Sequence, residues 1–145
     1  MFWKIISAFV LMALCVGVHA GGIMVALHWT RQELGWRRLL PWARRFVRLA
    51  SWIVVLHLVE IGVWGAYYAW QQTIPRMADA LYFSATTYTT TGYGDIVLPE
   101  GWRVFSAVEA LTGILMCGWS TAFFFTVIHR FYDSDRPTAQ ADGRS

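Results

Sequence analysis

Seven residues near the middle of the chain, 89–95, combine hydroxyl side chains with two glycines that flank a tyrosine. Glycine adopts backbone angles that other residues avoid. A strand with glycine at alternate positions can therefore turn successive carbonyl oxygens to the same side. If several such strands surround one axis, their oxygens form rings that can replace the water shell of a dehydrated cation. The segment has the order Thr-Thr-Thr-Gly-Tyr-Gly-Asp.

The composition of the chain indicates an integral membrane protein. Of its 145 residues, 57% are apolar and only 14% are charged, whereas soluble globular proteins are roughly 45–50% apolar. A chain of this length allows one domain. Three apolar segments are long enough to cross a bilayer as helices, which takes about 20 residues. They span approximately residues 3–27, 49–70 and 102–128.

A shorter, half-apolar segment, Met77–Tyr88, lies between the second and third spans. It is too short to cross a bilayer, but its length suits a helix that enters the membrane and turns back. Non-helical backbone at membrane depth is tolerated only where protein shields it or where it lines a water-filled path. The pattern therefore predicts a re-entrant helix followed by an extended segment that lines a pore.

The segment Thr90–Asp95 resembles the selectivity-filter signature of small bacterial potassium channels with one pore loop per chain, with Thr91 in place of the usual valine. The resemblance extends over about residues 50–129. It implies an all-α integral membrane protein with three transmembrane helices, a re-entrant pore helix and an extended filter. It also implies a homotetramer in contact with membrane lipids, because one filter per chain requires four chains.

The resemblance implies roles for residues in and behind the filter. Those expected to bind K⁺ are Thr90, Thr91, Gly92, Tyr93 and Gly94, mainly through their carbonyl oxygens, with the Thr90 hydroxyl as the innermost ligand. Those expected to support the filter are Asp95, Tyr82, Phe83, Thr86 and Glu109. Several family members carry a carboxylate where this chain has Thr86. We expect Glu109, in the third span, to compensate by bracing the pore helix near Thr86 or Thr87.

The third span is expected to line the inner part of the pore. Gly113 falls at the usual hinge position, where a mid-helix glycine indicates either a bend or close packing, and Gly118 is a second candidate. The resemblance places Ile114, Cys117 and Thr121 toward the cavity. It places Phe124 or Phe125 at the inner mouth, where an apolar constriction can gate by dewetting.

Four ionisable residues fall inside the predicted spans: His19, His57, Glu60 and Glu109. Such residues are costly in lipid and indicate a function. His57 and Glu60 are three positions apart and so share a helix face. We expect a pair that senses pH or a hydrogen-bonded structural pair. Two ligands are too few to predict a metal site.

Charge predicts the orientation. Six arginines between the first and second spans predict a cytoplasmic loop at 30–48: Arg31, Arg37, Arg38, Arg44, Arg45 and Arg48. An amphipathic helix on the inner surface is the other interpretation of this segment. The filter mouth then faces outward, and the tail 131–145 is cytoplasmic and disordered. The first helix, 1–29, is expected to stay uncleaved, because cleavage after Ala20 would leave too short a segment to cross.

The predicted pore domain is 49–130, with an outer helix at 49–71, a pore helix at 77–88, the filter at 89–95 and an inner helix at 102–129. The expected function is passive K⁺ conduction across the inner membrane of the cell, with no enzymatic activity, no cofactor and no nucleic-acid partner. Two alternatives stay open. Thr91 leaves room for a weakly selective monovalent cation channel. A metal-binding or accessory membrane subunit would use His19, His28, His57 and Glu60.

Overall fold

The structure is a computed structural model that describes residues 2–32 and 39–134. Within these ranges there are four α-helices, one short 3₁₀ helix at Glu100–Trp102 and no β-strand. The α-helices are α1 (Phe2–Gln32), α2 (Leu39–Trp70), α3 (Met77–Tyr88) and α4 (Arg103–Ser134). Three apolar stretches are long enough to cross a membrane: Phe2–Thr30, Ala43–Trp70 and Glu100–His129. The predicted all-α architecture with three transmembrane helices is confirmed.

The predicted loop at 30–48 is too long. Helix α1 continues to Gln32 and α2 begins at Leu39, so only residues 33–38 between them lie outside the described part of the chain. Pro41 falls in the first turn of α2, where proline is tolerated because its missing N–H has no helical partner to lose. No glycine or proline lies between Pro41 and Gly62, so nothing interrupts the helix over residues 42–61. Hydropathy located the start of the apolar stretch rather than the start of the helix.

Helix α4 also exceeds its predicted bounds. It ends at Ser134 instead of at 129, so residues 131–134 of the predicted disordered tail are helical. No glycine or proline occurs between 119 and 134 to interrupt it. The rest of the predicted tail, 135–145, lies outside the described residues.

A left-handed residue ends α2 and turns the chain toward α3. Gln72 has a φ of 55°. Its amide donates to the Ala69 carbonyl at 3.1 Å, and the amide of Thr73 donates to the Tyr68 carbonyl at 3.2 Å. These are the two bonds of a Schellman motif. The side chains of Gln72 and Thr73 donate to the same two carbonyls, so each of these carbonyls accepts a backbone and a side-chain bond.

Helix α1 packs against both α2 and α4. Its buried residues recur every three or four positions, which is the pattern of a helix with one packed face: Ala8, Leu11, Cys15, His19, Ile23 and Ala26. At its start, the Lys4 Nζ atom donates to the Gly101 carbonyl at 3.2 Å and lies 4.3 Å from the Trp102 ring centroid. The amino terminus of α1 therefore lies at the same end of the molecule as the start of α4.

Candidate functional site

The last turn of α3 holds the first residues of the predicted filter. Helix α3 ends at Tyr88, as predicted. The amide of Thr90 donates to the Thr87 carbonyl at 2.9 Å, and the amide of Gly92 donates to the Thr86 carbonyl at 3.0 Å. Carbonyls in the last turn of a helix have no partner within the helix. Here the carbonyls of Thr86 and Thr87 bind the extended segment 89–95, which we call the filter strand although it is not part of a β-sheet. These two bonds fix its position relative to α3.

The φ angle is positive at every second residue of the strand. It is 59° at Thr90, 54° at Gly92 and 77° at Gly94. Alternation in the sign of φ is the backbone pattern that turns successive carbonyls to one side. The two glycines were predicted, but Thr90 was missed. A side chain in the left-handed region costs about 1–2 kcal/mol, and a β-branched residue there is a true outlier.

The outer end of the filter interacts with α3 through Asp95 and Tyr82. The Asp95 carboxylate raises the pKa of the Tyr82 phenol, chiefly by accepting a hydrogen bond from the neutral phenol. Both residues were predicted to support the filter, and the structure brings them together. Phe83, the other predicted aromatic residue, is buried and packs edge-on against Tyr68 at 5.2 Å between ring centroids.

Glu109 of α4 reaches α3, but not at the predicted position. Its Oε1 atom lies 2.6 Å from Ser84 Oγ, and its Oε2 atom accepts a 2.6 Å bond from the Tyr68 hydroxyl. Thr86 instead donates to the Phe83 carbonyl within α3. The prediction of a brace near Thr86 or Thr87 was wrong in position, because Ser84 is buried whereas Thr86 and Thr87 are only half-buried. We call Glu109, Tyr68 and Ser84 the Glu109 cluster.

Ser84 joins three helices. Its Oγ atom lies 2.8 Å from the Ile61 carbonyl of α2 as well as 2.6 Å from Glu109 of α4. The hydroxyl has one hydrogen, so it cannot donate fully to both oxygens. Both contacts of Ser84 are hydrogen bonds if Glu109 is protonated and donates to Ser84, while Ser84 donates to the Ile61 carbonyl.

A second set of buried and half-buried polar side chains joins all four helices. We call it the polar ring, and its members are His19, His57, Glu60, Tyr88 and Ser120. His19 Nδ1 lies 2.9 Å from Glu60 Oε1, and the Tyr88 hydroxyl donates to Glu60 Oε2. His57 Nδ1 lies 3.1 Å from the Tyr88 hydroxyl and 3.6 Å from Glu60 Oε2. Ser120 Oγ lies between the Nε2 atoms of the two histidines, at 3.1 Å and 3.2 Å.

The polar ring extends the predicted pair of His57 and Glu60 to a third buried group, His19. Ligand atoms of these three residues lie within 4.8 Å of one another, which would allow a metal ion. No such group with His28 occurs in the described part of the chain. Sequence spacing could pair residues within α2, but it carried no signal that α1, α3 and α4 bring a partner to the same point.

Helix α4 crosses the end of α3 at Gly113. A methyl group at this α-carbon would overlap the Tyr88 carbonyl oxygen. Gly118, by contrast, has no atom within 4 Å of the position that a Cβ would take. Close packing therefore accounts for Gly113, and a hinge at this position stays a prediction.

The residues predicted to line the cavity lie on an uncovered face of α4. Ile114, Cys117 and Thr121 are all exposed, and their spacing puts them on one side of the helix. Phe125 continues this face and is 68% exposed. Phe124 packs instead against Phe46 of α2, with ring centroids 5.3 Å apart. Of the two phenylalanines predicted at the inner mouth, Phe125 has the suitable position.

The filter strand is uncovered within one chain. Residues 89–95 are all exposed, and Tyr93 is 71% exposed. A cavity of about 440 Å³ separates the strand from the outer half of α4, with Gly94, Ala107 and Ala110 among its lining residues. Non-helical backbone cannot face lipid, so the strand requires other protein or water around it.

Three helices long enough to cross a membrane, the short helix α3 between two of them and a following segment with alternating φ angles are the arrangement of an ion channel of the two-helix pore type. A model of the ion-channel family matches residues 53–130, which is more than half of the chain, so the chain belongs to this family. The matched residues include most of α2, all of α3 and the filter, and most of α4. Comparisons with curated proteins and with solved structures gave no significant match.

Proposed function

We propose that the chain forms a potassium-selective channel in the cell inner membrane and that K⁺ passes down its gradient through the filter 89–95. The observation that carries this proposal is the alternation of φ at Thr90, Gly92 and Gly94 in a strand whose sequence resembles the potassium-filter signature. Carbonyls turned to one side would replace the water around K⁺. The ligands would be the carbonyls of Thr90, Thr91, Gly92 and Tyr93, with the Thr90 hydroxyl at the inner end.

The proposed assembly is a homotetramer around a fourfold axis. Supporting it is the exposed filter strand, because non-helical backbone needs cover in a membrane. In such an assembly, the negative ends of four α3 dipoles would point toward the ion. Asp79, in the first turn of α3, has the charge that favours this helix direction.

The inner pathway in this proposal follows the uncovered face of α4. Ile114, Cys117 and Thr121 would surround the cavity below the filter, and Phe125 would form the apolar constriction. Movement of α4 about Gly113 would widen the constriction. The arginines at 30–48 support a cytoplasmic position for this end.

The test is K⁺ efflux from liposomes that contain the purified full-length protein. We expect efflux that barium blocks, and a mass of four chains in a non-dissociating detergent. Gly92→Ala should abolish efflux, because its φ of 54° disfavours a side chain even though there is open space around it. The matched control is Gly17→Ala, an exposed α1 position that also has open space and no positive φ. Equal efflux from Gly92→Ala and the wild type would refute the proposed filter.

A weakly selective monovalent cation channel is the second candidate. Thr91 favours it, because its Oγ1 atom lies 3.0 Å from Thr89 Oγ1 and adds a polar contact beside the filter where the family has valine. Reversal potentials in mixed K⁺ and Na⁺ distinguish the two functions. If the wild type passes both ions and Thr91→Val passes mainly K⁺, the second candidate is correct.

A further inference from the structure

The polar ring is a closed circuit of five contacts. Its order is Glu60, His19, Ser120, His57, Tyr88 and back to Glu60. The four contacts other than that between Tyr88 and Glu60 measure 2.9 to 3.2 Å. His19 and Glu60 are fully buried. The ring therefore has to satisfy its hydrogen bonds largely from within.

The ring is one hydrogen short when Glu60 is ionised and both histidines are neutral. Five hydrogen bonds need five hydrogens. Each neutral histidine supplies one, and Ser120 and Tyr88 supply one each, which makes four. One contact would then bring two lone pairs together, and the ring would carry a net negative charge. Both are unfavourable in the hydrocarbon region of a bilayer.

We propose that the polar ring is a proton-binding site that takes up one proton from solution. With the fifth hydrogen, every contact becomes a hydrogen bond and the ring has no net charge. The ring has five hydrogen bonds whichever of its members carries the added proton. If it is on Glu60, all members are neutral and each donates to the next. If it is on a histidine, the imidazolium and the Glu60 carboxylate form an ion pair.

Every helix around the ring contributes a titratable group: His19 from α1, His57 and Glu60 from α2, Tyr88 from α3, and Cys117 from α4. The Cys15 and Cys117 thiols both interact electrostatically with Glu60. A neutral thiol carries no positive charge, so neither cysteine balances the negative charge of the ring that lacks its fifth hydrogen. His57 is 18% exposed whereas His19 is fully buried, so His57 is the ring histidine at the surface of the chain.

Glu60→Gln provides a direct test. Glutamine has an acceptor oxygen and a donor amide at the position of the two carboxylate oxygens. It would supply the fifth hydrogen permanently, so this variant should imitate the protonated ring. The experiment measures the unfolding temperature of the purified full-length protein in lipid nanodiscs with EDTA, from about pH 5 to pH 9.

The wild type should lose stability as pH rises, because a site that binds its proton more tightly in the folded state stabilises the fold at low pH and loses that contribution at high pH. Glu60→Gln should lack this transition and should match the wild type at low pH. Glu100→Gln, at an exposed carboxylate, is the control that keeps the transition. Ser120→Ala should shift the transition to lower pH, and Ser120→Thr, which keeps the hydroxyl, should not.

Several results would overturn the proposal. Glu60→Gln could retain the wild-type transition, could be less stable than the wild type at low pH, or could fail to fold. A transition that appears only when Zn²⁺ replaces EDTA would also overturn it, because the same three donors would then hold a metal ion. None of these measurements depends on ion selectivity, so they stand apart from the efflux test of the proposed function.

Discussion

The carbonyl oxygen of Tyr88 lies directly against the α-carbon of Gly113, at the point where α4 crosses the end of α3. Tyr88 belongs to the polar ring and is followed at once by the filter residues 89–95. The position of the filter therefore depends on an approach of α4 that only glycine permits.

Gly113→Ala should destabilise the protein. Alanine normally favours a helix by about 1 kcal/mol over glycine, but overpacking costs about 1–3 kcal/mol, so the net effect should be a loss. Gly118→Ala is the matched control on the same helix, with open space for its methyl group. Thermal unfolding in detergent should show a lower midpoint for Gly113→Ala alone. Equal midpoints for both variants would mean that α4 does not approach Tyr88 this closely.

The Glu109 cluster should tolerate glutamine but not alanine. In Glu109→Gln, the new amide would accept from Tyr68 and donate to Ser84, which leaves the Ser84 hydrogen for the Ile61 carbonyl. Glu109→Ala would leave a buried hydroxyl without its acceptor, at a cost of about 1–3 kcal/mol. The midpoint of thermal unfolding and the rate of efflux should be similar for the wild type and Glu109→Gln, and both should be lower for Glu109→Ala. A Glu109→Gln variant as damaged as Glu109→Ala would show that Glu109 acts as an anion.

Tyr82→Phe should weaken the outer end of the filter. It removes the bond to Asp95 and leaves the ring in place. We expect the current to decline faster during sustained ion conduction. Because the bond raises the pKa of Tyr82 above the ordinary value of about 10, the phenol stays protonated at neutral pH. The wild-type bond should therefore cause no pH dependence of this decline between about pH 6 and 9.

Tyr67→Phe, which removes the hydroxyl from a ring stacked on Phe105, is the control. A similar decline in both variants would exclude a specific role for the Asp95 bond.

Efflux should fall as pH rises through the transition of the polar ring. Loss of the fifth hydrogen breaks one buried bond worth roughly 1 kcal/mol, enough to change the ratio of two conformations about fivefold. Since Tyr88 connects the ring to the filter, we expect fewer conducting filters at high pH. Liposome efflux of the wild type and of Glu60→Gln should differ at high pH and agree at low pH. A pH-independent wild type would show that the ring and the filter are uncoupled.

Gln72→Gly should raise the stability of the fold. Gln72 has a φ of 55° at the end of α2, where glycine avoids a cost of about 1–2 kcal/mol. The loss of the Gln72 side-chain bond to the Ala69 carbonyl offsets part of this gain. Gln71→Gly, at a residue without positive φ, is the control and should not stabilise. Thermal unfolding of both variants checks the prediction.

The sequence was sufficient for the features that depend on composition and on local pattern. Apolar length predicted the three spans, and the bounds of α3 followed from its half-apolar segment between two of them. Helix ends were less predictable, because hydropathy changes at the membrane surface while α2 and α4 continue until a residue interrupts them. Leu39 and Ser134 both lie beyond the apolar stretches that revealed these helices.

The buried polar sets could not be predicted, because their partners come from distant parts of the chain. Glu109 was expected to reach α3, but which α3 residue it meets depends on the rotation of both helices. Ser84 has no feature in the sequence that distinguishes it from the nearby threonines. The positive φ of Thr90 was missed for a different reason. It follows from the bonds to Thr86 and Thr87 that bend the chain out of α3.

The polar ring also has a consequence for the biogenesis of the channel. His19 emerges from the ribosome 41 residues before its partner Glu60 and 101 residues before Ser120. Helix α1 must therefore enter the membrane with a histidine whose partners have not yet been made. Until α2 and α4 follow, nothing fixes the depth or rotation of α1 at this point. Helix α4, which is made after α2, thus completes the docking of α1.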